Sequence, residues 1–211
     1  MYQNTFVALC LFSLCMLLAP GCLLDGAAKK GKEAAGTVSA ALPPLEGTWV
    51  ANGCGTGSDI LTFTFAAGVF TETNQMFTDN TCATPMITLV KMGTYSIGAA
   101  AAAPADSVKI DYAQTSELAT PDTGSSAMLN GPPAQCVGVT FVDHVASDVS
   151  GQDCNKGILE TANGATIYGI YSLLTAGTLQ LGSASGTDRK GNAAEIDRPS
   201  TLDSSRTFTK L

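Results

Sequence analysis

The chain predicts an all-β fold: an eight-stranded antiparallel up-and-down barrel with a long, disulfide-bonded insertion between its fifth and sixth strands. Three observations carry this expectation. Segments of alternating apolar and polar residues recur from Gly47 onward, bounded by Gly, Pro and Asp. Charged residues make up only 14% of the chain and glycine is plentiful, which suits a protein of many turns better than a helical bundle laced with ion pairs. Four cysteines, Cys54, Cys82, Cys136 and Cys154, fall in the connections between those segments.

Residues 1–21 read as an export signal. Phe6 to Leu18 is an apolar run too short to span a bilayer, closed by Ala19-Pro20-Gly21-Cys22. These small residues before a cysteine resemble the cleavage box of bacterial lipoproteins. The resemblance implies acylation of Cys22 and a membrane anchor through that lipid. Leu23 after the cysteine resembles the pattern that sorts such proteins to the outer membrane, so the expected location is the bacterial cell envelope. Residues 22–44 are rich in Ala, Gly, Lys and Ser without an apolar face. As a flexible coil they would reach about 25 Å. Pro43-Pro44 ends this tether, and residues 45–211 form the predicted domain.

The predicted strands are Gly47–Ala51, Asp59–Ala66, Val69–Thr78, Ile87–Ile97, Ser107–Leu118, Ala165–Leu173, Thr178–Gly182 and Arg206–Leu211. In the second, Leu61, Phe63 and Phe65 oppose Thr62 and Thr64. In the fifth, Val108, Ile110 and Tyr112 oppose Lys109, Asp111 and Ala113. The sixth sets Ile167, Gly169, Tyr171 and Leu173 against Thr166, Tyr168 and Ser172. Ala66-Ala67-Gly68 and Thr175-Ala176-Gly177 make short hairpins. Gly98 through Ala105, with five consecutive alanines before Pro104, reads as a loop.

Gly47-Thr48-Trp49, holding the sole tryptophan, resembles the Gly-x-Trp opening of lipocalins. Cys54, the run Asp79 to Pro85 around Cys82, Gly93-Thr94-Tyr95 and Asp197-Arg198-Pro199-Ser200-Thr201-Leu202 extend the resemblance to a cysteine-bearing, lipocalin-like branch of secreted and membrane-attached proteins. It spans Leu45 to Leu211. Lipocalins usually lay an arginine from the last strand across the tryptophan; here the candidates are Arg206 and Lys210, and antiparallel pairing puts Lys210 nearer to Trp49, a departure from the family's pattern.

In an up-and-down barrel, alternate connections share an end. Cys54 and Cys82 then lie at one end, and Cys136 and Cys154 lie at that end within the insertion. Of three possible pairings, Cys54–Cys82 and Cys136–Cys154 is the favoured one, in keeping with an oxidising compartment. The insertion turns apolar from Val137 to Val149. We expect it to form a lid, with a short helix, whose Phe141 and Val145 pack across the mouth.

A net charge of −7 with 11 Lys+Arg argues against nucleic acid as a partner. The sole histidine, His144, sits among valines without a nucleophile motif, so no catalytic residues and no enzymatic activity are expected. No cofactor and no metal are expected either: a C-x-x-C spacing is missing, and Asp79, Asn80 and Asp188 read as turn residues. Phe63, Phe65, Tyr112, Tyr171 and Phe141 are the candidate contacts for a small apolar ligand. The alternative is a filled barrel acting as a structural or adhesive surface module.

Overall fold

A computed structural model describes residues 44–55, 57–132, 134–154, 162–175, 177–183 and 191–211. The expected signal segment, Cys22 and the expected tether up to residue 43 lie outside them, as does Asp188.

The chain folds into nine strands: β1 (Gly47–Asn52), β2 (Asp59–Ala66), β3 (Val69–Phe77), β4 (Pro85–Ala100), β5 (Val108–Pro121), β6 (Ser147–Asp148), β7 (Thr166–Thr175), β8 (Thr178–Leu181) and β9 (Phe208–Lys210). Eight of them close an antiparallel barrel in the order β1-β2-β3-β4-β5-β7-β8-β9, with β9 pairing back onto β1. The two-residue β6 lies beside the far end of β5, outside the ring. Closure removes the exposed sheet edges that an open sheet would present. The fold is thus the predicted all-β barrel.

Alternation explains which residues face inward. Along β2, Asp59, Leu61, Phe63 and Phe65 are buried while Ile60, Thr62 and Thr64 are less so. Trp49, Phe63, Phe65, Phe70, Tyr112 and Phe208 are each at most 2% exposed and form one cluster with Leu45, Ile110 and Tyr171. Burial of each such side chain stabilises the fold by about 2 kcal/mol. The rings pack at angles that suit their quadrupoles, with Phe70 on Tyr112 edge-to-face at 5.1 Å and Phe208 on Phe63 at 5.5 Å.

The Gly-x-Trp opening has a physical reason. Gly47 has φ of 126°, a conformation that L side chains rarely adopt, and a Cβ there would lie 2.5 Å from Lys210 Cε. The close approach lets Lys210 Nζ sit 5.2 Å from the Trp49 ring centre, opposite Trp49 in the β1–β9 register. The indole N–H donates to the Leu45 carbonyl at 2.7 Å. The residue expected over the tryptophan is the one found there.

Several boundaries differ from expectation. β4 runs past both predicted ends: Pro85 pairs with Phe77 of β3 at its start, and Ala100 pairs with Val108 of β5 at its finish. β5 likewise runs three residues past the predicted Leu118, to Pro121. The last strand is shorter than Arg206–Leu211, since Arg206 turns to hold Asp59 with bonds of 2.7 and 2.9 Å.

Both predicted disulfides are present, Cys54–Cys82 and Cys136–Cys154. The first joins the β1–β2 and β3–β4 connections, helped by a bond from Gly55 N–H to the Asn80 carbonyl. Asp79 acts as the expected turn residue, accepting from the backbone N–H groups of Thr81, Ala83 and Thr84.

Candidate functional site

The disulfide-bearing end is roofed by the insertion. Phe141 is 2% exposed and joins Ile87, Leu89, Ala119, Leu129, Val149 and both Cys136 and Cys154 in a second apolar cluster. The roof is bonded to the wall: Val149 N–H donates to the Glu117 carbonyl and His144 N–H to the Pro121 carbonyl, both at 2.9 Å. Asn130 brackets Phe141, donating to its carbonyl at 2.7 Å and accepting from its N–H at 2.8 Å.

Val145 does not pack across the mouth. It is 52% exposed and pairs with the exposed Val142 across a tight turn at Asp143 and His144 that points outward. The short helix, α1 (Ser125–Asn130), also lies before the cysteine pair instead of within it. The cause is local. The Asp143 carboxylate accepts from Gly124 N–H at 2.6 Å and Ser126 N–H at 2.9 Å, capping α1 from the turn. Its carboxyl is held below the usual range, chiefly by the Ser126 hydroxyl and then by those two N–H groups. His144 is exposed, with Nε2 2.8 Å from the Thr123 hydroxyl.

Four of the five candidate ligand contacts come together. Phe63, Phe65, Tyr112 and Tyr171 share the aromatic cluster at the hairpin end, packed on one another. Burial, and next the neighbouring Tyr95, push the Tyr171 hydroxyl above its ordinary pKa. Phe141 belongs to the roof cluster instead.

Between the two apolar clusters runs a row of polar side chains that the sequence reading did not single out. Glu72, Lys91 and Glu117 are opposite one another across β3, β4 and β5, and all are buried. Lys91 Nζ lies 3.6 Å from Glu117 Oε1, and Gln114 Nε2 donates to Glu117 Oε2 at 3.3 Å. Asn74 follows Glu72 on the same face of β3, and its side-chain oxygen is buried without a hydrogen-bond partner among the described residues. The inward parity of Glu72 and Lys91 was legible from Phe70 and Leu89. Glu117 was not, because a bulge between Gln114 and Ser116 reverses the parity of β5.

Elsewhere, a cleft of about 380 Å³ opens beside Trp49, Leu173 and Lys210 where β7 turns into β8. On the outer wall, Arg198 of the predicted Asp197–Leu202 motif pins the last long connection. Its Nη1 donates to the Gly169 carbonyl at 2.6 Å, its Nη2 meets Asp111 at 2.7 Å, and its guanidinium lies over Tyr168. Among the described residues no helix is long and apolar enough to cross a membrane, and no group of three or more His, Cys, Asp or Glu could hold a metal.

This geometry defines a class: a closed, eight-stranded antiparallel barrel, consistent with a lipocalin-like fold, with one end clamped by two disulfides. No protein-family model matches the chain, and no curated protein matches its sequence.

Proposed function

We propose that the protein is a lipid-anchored lipoprotein of the bacterial outer membrane whose lipocalin-like barrel binds a small ligand with an apolar body and carries out no catalysis. The observation that carries the binding reading is the buried row Glu72–Lys91–Glu117 inside the barrel. Withdrawing such charges from water costs several kcal/mol each, and apolar side chains of similar volume would hold a purely structural barrel at least as well. Their placement between an aromatic floor and an apolar roof suits recognition of a ligand entering from the clamped end. The anchor rests on the apolar run before Ala19-Pro20-Gly21-Cys22, and the two disulfides fit export.

One observation favours a second reading, a surface module with a filled barrel: the aromatic floor is packed ring against ring. Native mass spectrometry of the protein purified from its membrane separates the two. A bound small molecule of defined mass, lost on denaturation, supports the carrier; a bare chain in every preparation supports the module. Mass spectrometry of the mature N-terminus tests the anchor, and an unacylated N-terminus beyond residue 22 would refute it.

A further inference from the structure

The start of β1, the β2–β3, β4–β5 and β7–β8 turns and the finish of β9 meet at the end opposite the disulfides. Its surface is apolar: Val69, Ile97, Leu174 and Leu211 are each about half exposed or more. Ile97 has the inward parity of Leu89 and Tyr95, yet β4 continues past Thr94, its last partner on β3, and carries Ile97 above the rim. From Gly98 to Ala105 the arm holds only alanine, glycine and proline, so no side chain there bears a polar atom. The turn serves its own backbone, with Ala101 N–H donating to the Ser107 carbonyl at 2.9 Å and the Ser107 hydroxyl to the Pro104 carbonyl at 2.6 Å. Within residues 44–47, 66–69, 97–107, 174–178 and 209–211 the charged side chains are Glu46, Asp106 and Lys210. Glu46 accepts from Ala67 N–H at 3.1 Å and Lys210 lies over Trp49. The described residues of the clamped end carry Asp79, Asp122, Asp143, Asp148 and Asp153 instead.

We propose that this end docks on the surface of a lipid bilayer, with the Ile97–Ala105 arm and Leu174 among the headgroups and the clamped end facing water. The inference rests on the lipid-anchor reading above and adds the orientation of the barrel. A contiguous apolar end marks a surface for association, and the path of the chain selects the bilayer as its partner. The expected tether joins the described residues at Pro44, on this same end, so an acylated Cys22 would draw this end towards the membrane. Lys29, Lys30 and Lys32 of the tether sequence suit anionic headgroups, which repel the aspartates of the opposite end. One lipid signal is strengthened by a second, weaker contact with the same surface. The arm stops at the headgroups, because turn backbone without a complete set of internal bonds is not tolerated in hydrocarbon.

Tryptophan fluorescence of the full mature chain tests it, in vesicles of phosphatidylethanolamine and phosphatidylglycerol whose upper acyl carbons are brominated. The wild type, whose sole tryptophan is the buried Trp49, supplies the baseline. Leu174→Trp should lose most of its added emission to the bromines, while Val142→Trp, on the outward turn of the roof, should lose none. Ile97→Asp in the Leu174→Trp chain should restore the emission, since a carboxylate resists the membrane boundary. If circular dichroism shows that Leu174→Trp does not fold, Val69→Trp serves as the reporter. Chain that floats with the vesicles while Leu174→Trp keeps its full emission overturns the docking and leaves the anchor standing; cross-linked dimers in that sample would assign the apolar end to a second copy of the chain. Equal quenching of Leu174→Trp and Val142→Trp overturns the orientation. Chain that does not float with the vesicles overturns both the docking and the anchor.

Discussion

Cys136–Cys154 should govern how often the roof opens. The bond closes a segment with a sequence separation of 18, and both sulfurs are buried in the roof cluster. In the chain-entropy treatment, releasing a loop of that length lowers the stability of the closed form by about 3 kcal/mol. Opening of the insertion would then rise by roughly 200-fold. Hydrogen exchange reads this directly, because protection reports the free energy of local opening. In the double variant Cys136→Ser, Cys154→Ser, the amides of Phe141, His144 and Val149 should exchange faster by about two orders of magnitude. These three are chosen because each is bonded, to Asn130, Pro121 and Glu117 respectively. Amides of β2 and β3, paired along their whole length, should keep their wild-type rates. Unchanged exchange across residues 137–149 would mean that the roof is held by its apolar contacts alone. Equal acceleration in β2 and β3 would mean that roof and barrel open as one unit. Either result refutes the reasoning.

Three other outcomes are expected. Gly93→Ala should destabilise the barrel by about 3 kcal/mol in urea unfolding, since a Cβ there would lie 2.2 Å from the Ala113 carbonyl oxygen and 2.7 Å from the Phe70 ring; a midpoint within error of wild type would contradict the close approach. Arg206→Ala should cost about 2 kcal/mol by leaving the largely buried Asp59 without its two charge-assisted bonds, with Arg206→Lys recovering only part of the loss in the same assay. The Asp143 carboxyl titrates below its unfolded value, so its contribution to capping α1 is fully present above the usual aspartate range and is lost as pH falls through the depressed folded value. Amide protection at Gly124 and Ser126 should therefore survive to pH 4 and collapse only below it, and a loss already centred at pH 5 would count against the cap.

The sequence by itself determined the strands, the closure and the cysteine pairing, because each follows from local or topological rules. Leu61, Phe63 and Phe65 alternate with threonines, and a pleated strand must put them on one face. Cysteines in alternate connections must meet at one end of an up-and-down barrel, whatever the details of packing. Lys210 had to lie across Trp49 once the first and last strands were paired. Even the buried Lys91 was implied by counting two positions from Leu89.

The tertiary structure alone decided what occupies the middle of the barrel. Counting along β5 from Val108, Ile110 and Tyr112 puts Gln114, Ser116 and Leu118 inside. Gln114 is buried as counted, but beyond it Glu117 and Ala119 are buried in place of Ser116 and Leu118, and Thr115 is exposed. The reversal arises where Gly93 faces Gln114 but Met92 faces Ser116, so that Thr115 becomes an extra residue whose hydroxyl donates to the Met92 carbonyl at 3.1 Å. That bulge depends on a glycine in a neighbouring strand allowing backbone to approach backbone, a relation between residues more than twenty positions apart. The outward turn at His144 has the same origin: Asp143 is drawn to the first turn of α1, and the valines on either side are carried into solvent with it.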